Sequence, residues 1–462
     1  MHSSGRLFSR IIAILSCIAG IALQFIPALE GVGPDLLPIA GVVIFAVGLW
    51  ATAIVSEYFT AIIFLLLAVT LTGTDRAVVF SGFHSSAAWM IFGGLIIALA
   101  VRTTGLGARI AGIILSRIGK TYLSVLVGIV IVTGMTSFVI PSNTARVMIM
   151  LPIFLALADR LGFAAGSNGR VGIALAVGAG SIYPSFTILP SAVPNLVLVG
   201  AAENILGLEL TYGQYILAQF PVITIVSVIA LPLLLKFLFP DIARPNGEDI
   251  VSAPVGAPEI RLLIILAVAL ALWMSDFAHG VSPAWVSLAA AIICMTPRIG
   301  MLEPSVMVRE INLAPWFFVS AIVGMGAVVA NSGLGDLAGG WLLAQIPLAP
   351  GENFANLAAL SAIGAVIGWF ATIPGAPAIM TTFAGNIAEA TGWPIATVVM
   401  SQVLGWAMTL FPYQLPPIVL VITLGGVRIG QAMKLLVAIS VVAWLVMLPL
   451  QYFYWDLLGM FG

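Results

Sequence analysis

Apolar residues run through this chain in long blocks, separated by short segments of glycine, proline and polar residues. A helix needs about 20 apolar residues to cross a hydrocarbon core of ordinary thickness. Blocks near 8–28, 37–55, 57–73, 88–107, 170–205, 213–238, 259–275, 281–297, 313–330, 394–425 and 431–455 predict eleven spanning helices. Two further blocks, near 121–159 and 355–391, are interrupted in the middle by Pro141-Ser142-Asn143-Thr144 and by Pro374-Gly375-Ala376-Pro377. Each reads as a helical hairpin that enters and leaves on one side. A break at membrane depth frees backbone groups that lipid cannot satisfy, so it survives only when buried in protein or lining a water-filled cavity.

The interruptions come in pairs. The two tip tetrapeptides each follow an isoleucine (Ile140, Ile373) and precede an alanine (Ala145, Ala378). After each hairpin comes a proline-interrupted block, Pro190-Ser191-Ala192-Val193-Pro194-Asn195 and Pro412-Tyr413-Gln414-Leu415-Pro416-Pro417. Gly105-Leu106-Gly107 and Gly333-Leu334-Gly335 close the preceding spans, and each leads into an amphipathic segment. The first such segment carries Arg109, Arg117 and Lys120, whereas the second carries Asp336 and no basic residue. Equivalent segments of opposite charge character belong on opposite membrane faces, which predicts an inverted repeat. The halves are 1–238 and 259–462, joined by a polar linker at 239–258.

Charge fixes the orientation. With the N-terminus in the cytoplasm, fifteen of the seventeen lysines and arginines fall at or near the inner side. Only Arg76 falls outside, and Arg146 lies within the first hairpin. Basic residues in short loops collect on the cytoplasmic side, and an odd number of spans leaves the C-terminus outside. Arg6 and Arg10 ahead of the first block read as the flank of a retained first helix. Composition agrees: 61% of the 462 residues are hydrophobic and 8% charged, against about 25% charged in soluble domains. The fold class is therefore an all-α polytopic membrane protein. A net charge of −1 offers nothing to a nucleic-acid partner. Cys17 and Cys294 sit in apolar blocks as packing residues, and the three histidines have no metal-ligand spacing.

Ile140-Pro141-Ser142-Asn143-Thr144-Ala145-Arg146 resembles the first signature of the divalent anion/sodium symporter (DASS) family. Leu49-Trp50-Ala51-Thr52, Phe80-Ser81-Gly82-Phe83, Pro194-Asn195-Leu196 and Phe411-Pro412-Tyr413-Gln414 resemble the family in the same order. The likeness extends along the whole chain, toward bacterial di- and tricarboxylate transporters of the inner membrane. It implies a homodimer in the lipid bilayer whose hairpins and broken spans move as an elevator. It also implies a small divalent anion as substrate and sodium as the coupling ion, with no other cofactor. Ser142, Asn143, Thr144, Ser191, Pro194, Gly375, Ala376, Pro377 and Pro416 are the implied substrate-binding positions. Ser137, Ser142, Asn143 and Thr372 are the implied cation-binding positions.

Two departures leave the coupling open. The second tip has Gly375-Ala376-Pro377 where the family repeats Ser-Asn-Thr, with Thr372, Thr381 and Thr382 as the nearby hydroxyls. Sodium-coupled members carry a serine four residues before the first motif, and this chain has Phe138 there beside Ser137. Arg146 accompanies the motif in exchanger-like members. Cation-coupled symport is the expectation, with sodium-independent exchange, or transport of sulfate, sulfonate or tricarboxylate, as alternatives. A charge inside a span is expensive, so Arg146 stands as a substrate contact or a substitute for a cation's charge, or else as a structural ion-pair partner or a side chain that snorkels to the inner interface. Ser142 and Asn143 are also good helix caps. Asp276 and His279 read as structural residues at the outer end of a span, ahead of a proton-coupling role. Tyr452, Tyr454 and Trp455 read as an interfacial aromatic belt. No cluster of His, Asp, Glu or Cys lies at membrane depth, so the chain is read as a transporter and not an enzyme.

Overall fold

Helices supply the regular structure, and no strand occurs among the described residues. The computed structural model describes residues 2–27, 33–52, 54–107, 109–110, 121–243, 256–370 and 373–462. Thr372, Arg117, Lys120 and much of the 239–258 linker lie outside the described residues.

The first half contains α1 (His2–Ala22), α2 (Leu36–Thr52), α3 (Glu57–Leu71), α4 (Ser86–Thr104), α5 (Tyr122–Thr136), α6 (Asn143–Arg160), α7 (Asn168–Ile182), α8 (Val193–Leu206) and α9 (Tyr212–Leu238). The second half contains α10 (Ala257–Met274), α11 (Pro283–Met295), α12 (Ala314–Asn331), α13 (Leu334–Gln345), α14 (Asn353–Phe370), α15 (Ala376–Thr382), α16 (Ala384–Thr391), α17 (Ile395–Trp406), α18 (Pro416–Gly425) and α19 (Ile429–Leu457). Among the described residues, α4, α9, α10, α12 and α19 are long and apolar enough to cross a membrane on their own.

Local chemistry sets the helix limits. Ser85 accepts the Ala88 N–H at the start of α4, and Thr121 and Ser124 cap each other's backbone at the start of α5. Gly105 and Gly333, the glycines that close the two matching spans, have φ of +76° and +75°. Left-handed backbone of this kind costs a residue with a Cβ, and glycine escapes that cost.

The blocks at 170–205 and 394–425 are not single helices. Each divides, into α7 and α8 and into α17 and α18, with irregular segments at 183–192 and 407–415 between them. Proline rigidity explains the division, because Pro184, Pro190 and Pro412 lack the N–H a continuing helix needs. The arm after the second tip also breaks once more, at Phe383 between α15 and α16.

α9 and α19 each contain one π-helical turn, at Phe220–Thr224 and Ala443–Met447. In α9, Pro221 cannot donate to Leu217 O, and the Tyr454 hydroxyl of α19 donates instead at 2.8 Å. Ala218 O accepts from Gln451 Nε2 at 2.8 Å and from Trp455 Nε1 at 2.9 Å. Trp455 is thus a buried strut between two helices, which corrects the reading of it as part of an interfacial belt. A satisfied polar contact of this kind stabilises a helix pair where lipid supplies no alternative donor.

Elsewhere small residues bring backbones together. α4 lies against α11 and α8, and α12 lies against α3, α4, α8 and α15. A Cβ on Gly93 would sit 2.7 Å from the Ser287 backbone, and one on Gly82 would sit 1.9 Å from Ser320 O of α12. Gly82→Ala must therefore displace backbone. We expect it to lower stability by about 1–3 kcal/mol, read as a lower melting temperature of the purified protein. An unchanged melting temperature would contradict this packing.

Candidate functional site

The first tip begins where α5 ends. Ser137 Oγ donates back to Thr133 O at 3.2 Å, and the chain leaves the helix after Thr136, ahead of Pro141. Ser142 is extended, with φ −160°, and its Oγ accepts the Ala145 N–H at 3.3 Å to start α6. Its side chain is therefore a helix cap. Asn143 and Thr144 open the first turn, where free N–H groups and the helix dipole suit an anion. Asn143 is half-buried and Thr144 exposed.

Arg146 follows one turn later, and its side chain is wholly buried. Nη1 donates to Ile140 O at 2.5 Å and to Ser191 Oγ at 2.9 Å, with Ser191 O at 3.4 Å. Nη2 donates to Ser181 O at 2.6 Å and to Asn143 Oδ1 at 3.2 Å. The guanidinium thus joins the tip to the end of α7 and to the irregular segment before α8. Among the described residues no carboxylate lies within ion-pair distance of it. Among the readings of Arg146, neither the structural ion pair nor snorkelling to the interface is therefore what the geometry gives. All its acceptors are neutral oxygens: carbonyls freed by broken helices, one hydroxyl and one amide. That donor set is also what a small hard cation takes.

Ser191 is brought to this cluster, and Pro194 opens α8 directly beyond it. Asn195 Nδ2 braces the irregular segment by donating to Ser185 O and Ile188 O, both at 2.8 Å. α8 then packs on α15 and on the turn Ile373–Gly375. One helix therefore connects the Arg146 cluster with the second tip.

The second tip is built differently. Gly375, Ala376 and Pro377 are buried, and α15 starts at Ala376 without a side-chain cap. Pro377 itself has no N–H. Thr381 Oγ1 accepts from Gln402 Nε2 at 3.1 Å, and Thr382 Oγ1 donates to Ile379 O at 2.6 Å. Gln414 is the residue that holds the second irregular segment. Its Oε1 accepts from Leu410 N at 3.0 Å and Phe411 N at 2.8 Å, and its Nε2 donates to Gly368 O at 2.7 Å. The Tyr413 hydroxyl donates to Trp369 O. Pro416 opens α18 and is exposed.

The sequence reading missed Ser181 and Gln414. Ser181 contributes only a carbonyl, which no side-chain pattern can flag. Gln414 had a signal, since an amide within an apolar block needs partners. Three ion pairs, Arg102–Glu310, Arg109–Glu259 and Arg170–Asp159, join helix ends away from both tips. Among the described residues no group of three or more His, Cys, Asp or Glu gathers to hold a metal.

Removing the guanidinium strands Ser181 O, while Ile140 O keeps the Ser142 N–H at 2.8 Å. A buried unsatisfied carbonyl costs about 1–3 kcal/mol. Arg146→Met leaves Ser181 O without that donor, and we expect a large drop in melting temperature with Arg146→Lys intermediate. A melting temperature unchanged in Arg146→Met would contradict the bracing role.

Residues 6–461 match the profile of a family described as "Sodium:sulfate symporter transmembrane region". A membrane protein of Cupriavidus necator is 29% identical over 360 residues, 73% of this chain and 68% of its own. A putative malate transporter of Bacillus subtilis, YflS, is 26% identical over 62% of each chain. An L-tartrate/succinate antiporter of Escherichia coli is 26% identical over 70% of this chain and 72% of its own. The Alcanivorax borkumensis YdaH transporter has the same overall fold, with a TM-score of 0.53 over 99% of both chains at 15% identity.

Proposed function

Since the chain belongs to the sodium:sulfate symporter family, whose members are transporters and not enzymes, we propose that it moves a C4-dicarboxylate-like anion by elevator-type alternating access. Two relatives are named for malate and for tartrate and succinate, which are four-carbon dicarboxylates. The proposed architecture has eleven spans and two re-entrant hairpins, α5–α6 and α14–α16, in an inverted repeat of 1–238 and 259–462 about the 239–258 linker. The order tip, irregular segment, π turn occurs in both halves and supports that repeat. The N-terminus is cytoplasmic and the C-terminus outside, in a bacterial inner membrane, and the working unit is a homodimer.

In this reading Asn143 and Thr144 contact one carboxylate of the substrate, with Ser191 and Pro194 shaping the first half of the site. The uncapped first turn of α15, with Gly375, Ala376 and Pro377, offers backbone N–H to the other carboxylate, beside Pro416. One end of the substrate meets side chains and the other meets mainly backbone, so recognition is lopsided. The family name favours sodium as the coupling ion, and Ser137, Ser142, Asn143 and Thr372 are the positions that would serve it.

One observation favours exchange without sodium. The guanidinium of Arg146 already uses Ile140 O, Ser181 O, Ser191 and Asn143 Oδ1. A tethered cation there supplies the positive charge that a bound ion would bring, and it cannot dissociate on either side. Coupling then falls to a second dicarboxylate travelling the other way. The test is uptake of labelled succinate or malate into proteoliposomes. We expect uptake to require internal dicarboxylate and to be equal in sodium and choline media. Uptake that needs a sodium gradient and ignores internal anion would overturn the exchange reading. Asn143→Ala should lower uptake about ten-fold or more, the loss of one hydrogen bond to a charged group; untouched uptake would overturn the site assignment.

A further inference from the structure

A second polar cluster lies apart from both tips, where α8 and the start of α9 meet α4 and the α10–α11 connection. Two carboxylates reach across this junction in opposite directions. Glu203 of α8 accepts from the first turn of α4, Ser86 N at 2.9 Å and Ser86 Oγ at 3.1 Å. Asp276, just after α10, accepts from the first turn of α9 through Tyr212 N at 2.5 Å. Each carboxylate caps the positive end of a helix on the other side. The two flank a cavity of about 120 Å³ that Glu209, Thr211 and Ser282 also line.

The carboxylates are not equivalent. Both oxygens of Glu203 have donors. Asp276 is only 4% exposed, and its Oδ1 has no partner among the described residues. An anionic oxygen buried without a donor is costly. A proton on Oδ1 removes that cost while Oδ2 still faces Tyr212 N, now as the weaker acceptor of a neutral acid.

The other titratable groups around the junction are placed differently. His279 Nε2 is 2.8 Å from Leu272 O, and its Nδ1 accepts from Val281 N at 3.0 Å, so both ring nitrogens are engaged as in the neutral ring. Glu209 is exposed, as is His84 on the turn next to α4. The Tyr212 hydroxyl is buried without a partner and already carries its proton. No lysine or arginine lines the cavity. The acids do not converge as metal ligands either.

We propose that Asp276 is the proton-accepting residue of a clamp between these two helix sets, taking a proton on Oδ1 from the cavity. Ionised, Asp276 and Glu203 hold α8 and α9 against α4 and the α10–α11 connection. Protonated, Asp276 loses its charge-assisted hold on the α9 N-terminus, and the junction parts more easily. If α8 belongs to the moving part, as the proposed function has it, acid on this face speeds the change between conformations. The clamp itself does not depend on that reading.

Trp273 provides a readout that needs no substrate. Its ring stacks on Tyr212 at 6.1 Å, and its Nε1 donates to Pro283 O at 3.1 Å at the cavity rim. The experiment titrates the fluorescence of the purified protein from about pH 8 to about pH 4, the range that covers carboxylates and histidines, with Trp273→Phe isolating the signal. We expect a one-proton step that Asp276→Asn abolishes and that His279→Gln and Glu209→Gln retain. A flat wild-type signal, or a step that survives in Asp276→Asn, overturns the proposal. The wild-type titration decides even if Asp276→Asn does not fold. In proteoliposomes, acid on the Asp276 side should raise exchange about five-fold, the factor for one weakened charge-assisted bond. Asp276→Asn should be fast and insensitive to pH, whereas Glu203→Gln should be fast with the pH response kept. A wild-type pH profile in Asp276→Asn overturns the link to transport. A fluorescence step without exchange of any dicarboxylate would leave the clamp standing and remove the transport reading.

Discussion

Carbonyl oxygens freed by broken helices must find donors, and in the first half of this chain Arg146 joins the tip to the irregular segment that Asn195 braces. Ile140 O at the tip and Ser181 O at the end of α7 both accept from Arg146, which also reaches Ser191 and Asn143. The dependence is mutual. A bare arginine at the centre of a bilayer costs about 2.5–3.5 kcal/mol or more, and hydrogen bonds to a charged donor return about 1.5–3 kcal/mol each. Without the guanidinium Ser181 O loses its donor, and without the breaks the guanidinium is unsolvated. The tip geometry, the start of α8 and the positions of Asn143 and Thr144 follow from that exchange.

The second half meets the same constraint with neutral groups. Gln414 and Tyr413 donate to Gly368 O and Trp369 O, and no arginine enters. This difference gives physical content to the loss of Ser-Asn-Thr at the second tip. Gly375-Ala376-Pro377 is buried and small, so backbone carries what side chains carry in the first tip. The first break is thus braced by a charged group and the second by neutral ones. A dicarboxylate bound between them would be held unequally at its two ends.

Much of this was legible in the sequence because breaks are rare in apolar blocks. Proline at 141, 190, 374 and 412 falls inside the tips and irregular segments between the helices. Gly105 and Gly333 marked matching helix ends, because left-handed backbone selects glycine. What stayed hidden depends on partners distant in sequence. Nothing near Arg146 says that its acceptors are carbonyls rather than a carboxylate. Nothing near Trp455 says that Pro221 and its π turn leave Ala218 O and Leu217 O for α19 to satisfy. The kink at Phe383 lies in a stretch that carries no proline to mark it.

The central claim is that Arg146 is a fixed cation at the position where an ion would otherwise sit. The most direct measurement is calorimetric binding of a C4-dicarboxylate to the purified protein in sodium and in choline buffers of equal ionic strength. The account predicts one affinity in both buffers, and a sodium dependence that appears, if at all, only when Arg146 is replaced by a neutral residue. Binding to the unaltered protein that vanishes in choline would contradict it.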